Sequence, residues 1–280
     1  GPIQKEKSSF NLAGRTSWIG GLVGPTINNI LDVEGTKFRY YDFNLKIKRE
    51  FQSSNSLTFS AYHGADNISF TDNSRKVGDF DLNTTNQLSW GTDVASLRWS
   101  RLLGPKVFAN LTLGFVNYTY LYNVKHELTN NVDPLEENQR LNVASTSRIL
   151  DRIAKLEIDY FRSNRLDIKY GIGYTVHTYN PAVKQASRFL GNSIRDIFPD
   201  LTASNTSEFT GYAESYYRPF SNLSIHTGVH FVTYRLKDKI YPSLQPRLSV
   251  NLGLPWQGFL GVSYSRMNQF IHLLGNPGLG

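Results

Sequence analysis

One stretch constrains the fold of this 280-residue chain more than any other: residues 156–180, LEIDYFRSNRLDIKYGIGYTVHTYN. Leu156, Ile158 and Tyr160 alternate with Glu157 and Asp159. After Arg162-Ser163-Asn164-Arg165 the alternation resumes, with Leu166, Ile168, Tyr170, Ile172, Tyr174 and Val176 on one parity. Asp167, Lys169, Gly171, Gly173, Thr175 and His177 hold the other. A period of two puts such sets on opposite faces of a strand, and Ser-Asn between two such runs predicts a β-hairpin. The second arm is about twice the usual strand of roughly five or six residues. Its length suits the roughly 9–11 residues with which a tilted strand crosses a bilayer. Apolar residues on one face and charged or tiny ones on the other give the sign pattern of a membrane barrel, lipid outside and a polar lumen inside.

The same alternation recurs along the chain. Tyr41, Phe43, Leu45 and Ile47 oppose Asp42, Asn44, Lys46 and Lys48. Leu223, Ile225, Thr227, Val229 and Phe231 oppose Ser224, His226, Gly228 and His230. In all, about eleven strands are expected. Leu45, Ile168, Ile172 and Val229 should face lipid. Lys46, Lys169, His177, His226 and His230 should face the lumen. In the strand over 87–102 the apolar parity switches between Leu88/Trp90 and Leu97/Trp99. That predicts either a β-bulge near Ala95 or a strand rising above the membrane. Residues 147–160 also fit helical spacing, through Ile149, Ile153, Leu156 and Tyr160, but the alternation from Lys155 onward favours a strand.

Short turns alternate with longer polar segments. The turns are Gln52–Asn55, Leu103–Lys106, Arg162–Arg165, Pro219–Asn222 and Leu254–Gln257. Long loops are expected over 20–35, 66–83, 125–144 and 181–205, the last with a short helix suggested by Val183, Ala186, Leu190, Ile194 and Ile197. Phe51, Trp99, Phe108, Tyr160, Phe161, Tyr217, Phe220, Trp256 and Phe259 gather at the short turns, as in an aromatic girdle. An odd meander starting at the turn side and finishing at the loop side leaves first and last strands parallel. The chain therefore reads as an open part of a larger barrel. A soluble β-sandwich is the competing fold, but its strands are shorter.

Composition narrows the chemistry. With no cysteine, thiolate metal sites and Cys nucleophiles are excluded. The net charge of +7 comes from scattered Lys and Arg, without the run or stripe that nucleic-acid binding would leave. No run of about 18 apolar residues predicts a helical span, which says nothing against strands. His226 and His230, four residues apart on a strand, have Cα atoms roughly 13 Å apart, too far for one metal ion. Glu157 and Asp159 lie among Lys155 and Lys169, and read as a lumen salt-bridge ladder rather than a catalytic carboxylate pair. No cofactor, metal site or catalytic residue is expected. GPIQKEKSSF lacks the apolar core of a signal peptide.

Several stretches resemble one family. They are GPIQKEKSSFNLAGR, WGTDVASLRWSRLLGPKVFANLTLGF, DYFRSNRLDIKYGIGYTVHTYNP, and YPSLQPRLSVNLGLP followed by SYSRMNQFIHLLGNPGLG. They are similar to TonB-dependent outer-membrane receptors of the Bacteroidetes type. There a carboxypeptidase-regulatory-like domain and a plug precede a barrel of twenty-two strands. The resemblance implies that residues 1–280 form a partial barrel, all-β and antiparallel up-and-down, without plug or closing strands. It implies the Gram-negative outer membrane, contact with lipid and lipopolysaccharide, and a TonB energy-coupling complex acting through the plug. It also implies a possible surface lipoprotein partner and a siderophore, glycan or peptide ligand. Lys184, Arg188 and Arg195, in the longest expected loop, are the candidate ligand-binding residues. Two other classes compete: a self-contained lipase-like barrel enzyme and a soluble β-rich binding module.

Overall fold

The structure is a computed structural model that describes residues 1–4, 7–18, 20–31, 35–52, 54–77, 80–130, 139–190, 193–196 and 203–270. Among the described residues thirteen strands form one antiparallel sheet. Eleven are the long strands the alternation predicts: β2 (Ser8–Thr16), β3 (Gly35–Gln52), β4 (Asn55–Val77), β5 (Phe80–Gly104), β6 (Val107–Asn130), β7 (Gln139–Ser163), β8 (Leu166–Leu190), β10 (Ser204–Phe220), β11 (Leu223–Leu236), β12 (Lys239–Gly253) and β13 (Phe259–Ser265). Two short strands add to them, β1 (Pro2–Gln4) beside β2 and β9 (Ser193–Asp196) beside β8. Every strand pairs with its sequence neighbour, except that β8 pairs with both β9 and β10. Among the described residues β13 pairs only with β12, so the sheet is open.

The pairing registers extend each alternation across the whole sheet. Leu57, Trp99, Leu111, Leu156, Ile172, Gly211, Phe231 and Leu244 stand opposite one another in turn, on eight neighbouring strands. One residue along, Ser56, Ser100, Asn110, Glu157, Gly171, Tyr212, His230 and Gln245 form the adjacent row on the other face. A side-chain period of two makes these rows face opposite ways, so the sheet has one apolar and one polar face.

Burial is inverted relative to a protein folded in water. Asp42, Thr206, Ser243 and Gln245 of the polar face are buried, whereas Phe43, Ile172, Tyr174, Phe231 and Leu244 of the apolar face are exposed. Among the described residues no large side chain is fully buried. A soluble sheet would cover its apolar face with a second layer; here that face carries none.

The expected loops over 66–83, 125–144 and 181–205 are corrected. β4 to β8 run for 23 to 25 residues each, so most of those segments are strand. At about 3.3 Å per residue a 25-residue strand is about 80 Å long, well beyond the apolar thickness of a bilayer. In the upper halves neither parity is consistently apolar, so the segments read as loops. β8 extends to Leu190 and turns back as β9, so Val183, Ala186 and Leu190 lie on a strand and not on the expected helix. Ile197 lies outside the described residues, as does the end of the chain beyond Phe270.

The expected bulge near Ala95 is absent, because pairing runs unbroken from Thr92 to Leu97 on both sides of β5. The parity switch is the second alternative, a strand rising above the apolar band. A register shift occurs elsewhere, where Thr146 and Arg148 of β7 face Val183 and Asn180 of β8. Pro181 sits in that gap, where its missing N–H interrupts no ladder bond. Residues 147–160 belong wholly to β7, so their helical spacing is incidental.

The expected loop over 20–35 is mostly helix α1 (Gly20–Leu31). It packs along β3 at the edge that β2 leaves free above Thr16. A Cβ on Gly20 would collide with the Phe38 carbonyl oxygen, and one on Gly24 would lie 3.3 Å from that of Thr36. These glycines permit a close helix–strand approach that local propensity alone does not suggest.

Candidate functional site

The polar face carries the ionisable groups, and the registers explain how they meet. Glu214 of β10 stands opposite Gly228 of β11. Its side chain lies over that glycine, where an added Cβ would come within 2.9 Å of the Glu214 Cγ. One carboxylate thereby reaches both neighbours of Gly228 on the same face. Glu214 Oε1 accepts from His230 Nε2 at 2.7 Å, and His226 Nε2 approaches Oε2 at 3.6 Å. Arg247 of β12 adds a third contact at 3.7 Å. The two rings stack on Tyr216 and Tyr212, with centroids 4.1 and 4.8 Å apart. The spacing of His226 and His230 excludes a shared metal but gives no sign of a shared carboxylate, because Glu214 comes from another strand.

A second cluster borders the first. Glu157 takes Lys155 at 2.9 Å and Lys169 at 3.8 Å, and Asp159 takes Lys169 at 3.8 Å. This is the predicted ladder. The Tyr212 hydroxyl donates to Glu157 at 2.7 Å and joins the two clusters. Its ring lies over Gly171, where a Cβ would meet it at 2.7 Å. His177 pairs with Asp151 through Nδ1 at 2.7 Å, inside a depression of about 500 Å³ that also borders Glu208, Tyr179 and Phe270. Phe270 stacks on Tyr234, so the segment after β13 folds across this face. Lys46 borders a separate depression of about 470 Å³ with Asn11, Asn44 and Tyr62.

Lys46, Lys169, His177, His226 and His230 thus all occupy the polar face. Lys169, His177, His226 and His230 form several ion-pair groups spread over it, and the five residues converge on no single point. Among the described residues no cluster of His, Asp and Glu could hold a metal ion. The candidate ligand residues take register positions on extended strand: Lys184 opposite Ser145, Arg188 opposite Leu141, and Arg195 of β9 opposite Arg188. They belong to one hairpin at the top of the sheet and not to a loop. Higher on the strands, Lys125 holds the Glu127 carboxyl below its usual range, and Arg140 adds to the effect.

No family model matches the chain, and no curated protein matches it. Among solved structures, the crystal structure of the outer-membrane protease OmpT from Escherichia coli covers 91% of this chain and 88% of its own, at 9% identity. The TM-score is 0.26, a likeness too slight to carry an argument about this chain.

Proposed function

We propose that the chain forms wall of an outer-membrane β-barrel and serves a TonB-dependent uptake receptor as its scaffold. The observation that carries the membrane reading is the inversion of the two faces across the long strands. A continuous exposed apolar face, far larger than the few hundred Å² usual on a soluble monomer, needs a cover. Lipid supplies one along the whole sheet, and the paired charges of the other face then line a wet interior. The aromatic side chains at the short turns, such as Phe51, Phe220, Trp256 and Phe259, are exposed at one level, as an interfacial girdle requires.

The receptor reading is finer and rests on the sequence stretches that resemble that family. In it the sheet is a passive wall, a plug occupies the lumen, and an inner-membrane partner supplies the pull. The polar-face ion pairs then hold strands in register and perform no catalytic step. Ligand selectivity falls to the β8–β9 hairpin with Lys184, Arg188 and Arg195.

The membrane reading is tested by one arginine on each face of β8. Ile172 is 53% exposed on the apolar face, while Lys169 lies on the polar one. Ile172→Arg should cost about 2–4 kcal/mol when the full chain is unfolded from lipid vesicles, and Lys169→Arg much less. Equal costs would refute the assignment of faces.

A further inference from the structure

The depression beside His177 carries polar groups that their neighbours leave unanswered. Glu208 of β10, which borders it, stands opposite Thr175 of β8 and Tyr234 of β11. Neither can neutralise a carboxylate. Every other carboxylate on the polar face of β7, β8 and β10 has a basic or histidine partner among the described residues. Asp151 has His177, Glu157 has Lys155, Asp159 has Lys169, Asp167 has Arg218 and Glu214 has His230. Among the same residues the half-buried Glu208 has none.

His177 supplies a second unanswered group. Its Nδ1 lies 2.7 Å from Asp151 Oδ1, and its Nε2 is shut off from water without a hydrogen-bond partner. With Asp151 accepting the Nδ1 proton, Nε2 is left as a bare acceptor. A buried acceptor in that state costs free energy until a donor reaches it. Both unanswered groups therefore call for donors, and Glu208 calls for positive charge as well.

The walls favour a flat cation. Tyr179, stacked on His177 with centroids 5.7 Å apart, and Phe270, stacked on Tyr234 at 5.4 Å, border the same depression. Aromatic faces attract cations, and a planar guanidinium stacks on them while its fork of N–H groups reaches separate acceptors. The volume of about 500 Å³ falls within the roughly 300–1,000 Å³ of small-molecule pockets. A metal ion does not fit, since among the described residues no cluster of His, Asp and Glu could hold one. Glu208 lies farther along β10 from the short turn at 219–222 than Glu214 does. A ligand entering from the end away from the short turns meets this depression before the Glu214 cluster.

We propose that the depression binds the guanidinium head of a small organic cation, with Glu208 and His177 Nε2 as acceptors and the rings of Tyr179 and Phe270 as walls. The inference rests on the reading of the polar face as a wet lumen wall and goes beyond it to a ligand class. The site is separate from the basic hairpin of Lys184, Arg188 and Arg195, and suits a ligand of the opposite charge.

The test uses the full chain in phosphatidylcholine nanodiscs, titrated by calorimetry with three probes. These are n-butylguanidinium, n-butylurea, which has its shape without its charge, and tetraethylammonium, which has charge but no N–H. n-Butylguanidinium should bind saturably and about tenfold more tightly than either of the others, the equivalent of about 1.4 kcal/mol. Glu208→Gln keeps the shape of the side chain and removes its charge. It should weaken n-butylguanidinium by about the same factor, and Glu208→Asp should stay closer to the parent. Glu50→Gln, on β3 beside Lys48, should bind as the parent does. Absence of n-butylguanidinium binding, equal binding of all three probes, or equal loss in Glu50→Gln and Glu208→Gln would overturn the inference and leave the membrane reading intact. Failure of the parent chain to enter nanodiscs of any composition would overturn the membrane reading, and this inference with it.

Discussion

Glu214 gathers His226, His230 and Arg247 on the polar face, and a glycine makes that possible. Because Glu214 lies over Gly228, a larger residue at 228 would displace it from His226, His230 and Arg247 at once. Gly228→Val should therefore destabilise the fold by about 1–3 kcal/mol, as overpacking does. Gly211 supplies the control, since a Cβ there meets only the Phe209 ring, at 3.8 Å. Gly211→Val should cost clearly less in the same unfolding titration; the reverse order would refute the account. Loss of the carboxylate itself is a separate matter. Glu214→Gln leaves His230 and Arg247 with a neutral partner in place of a carboxylate, and should cost about 1–3 kcal/mol. Adding Arg247→Met should recover part of that loss, and strict additivity of the two changes would show that the 3.7 Å contact carries no coupling.

At the scale of the element, the long strands decide where a ligand could be held. Strands β7 and β8 rise together past the register shift at Pro181, and β9 folds back on β8. A paired hairpin presents Lys184, Arg188 and Arg195 on a firmer support than a loop would, and function gathers where a rigid scaffold holds such a projection. If the proposed receptor reading holds, replacing residues 183–195 by a short Gly-Ser link should leave outer-membrane abundance near normal and abolish ligand binding. Unchanged binding and uptake would move selectivity to the lumen wall or to another hairpin. Helix α1 is the other element with a tertiary cause. Its Gly- and Pro-rich sequence reads as a loop, yet its glycines fit against the carbonyls of β3 and occupy the edge β2 leaves free.

For the molecule as a whole the decisive property is the open edge. β2 and β13 run the same way, with nine strands between them in the sheet order apart from the offset β9. Closure would demand a parallel pair in an otherwise antiparallel sheet. The chain has no native cysteine, so an engineered pair reports cleanly. Cysteines at Leu12 and Val262 should form no intrachain disulfide under oxidation in the membrane, whereas a pair at Val250 and Val262, opposite each other on β12 and β13, should form one readily. A Leu12–Val262 bond would mean that the sheet closes on itself.

The alternation in residues 36–51, 156–177 and 223–231 was enough to determine the strands, their hairpins and the side each residue takes. Those properties follow from the two-residue period of an extended chain and from whether each parity is apolar, both local facts. The ladder of Glu157 and Asp159 with Lys155 and Lys169 was legible for the same reason, since all four belong to one hairpin. What depends on exact register was not: Glu214 between His226 and His230 within the β10–β11 hairpin, and, between separate hairpins, the Tyr212 link to Glu157 and the hydrogen bonds from Tyr41 through His63, Asp93 and Asn117 to Arg148. Register is set by pairing across the sheet, and no short window of sequence contains it. The upper strand halves were hidden for a different reason. There neither parity is consistently apolar, so the alternation that marks a strand vanishes while the hydrogen-bonded ladder continues.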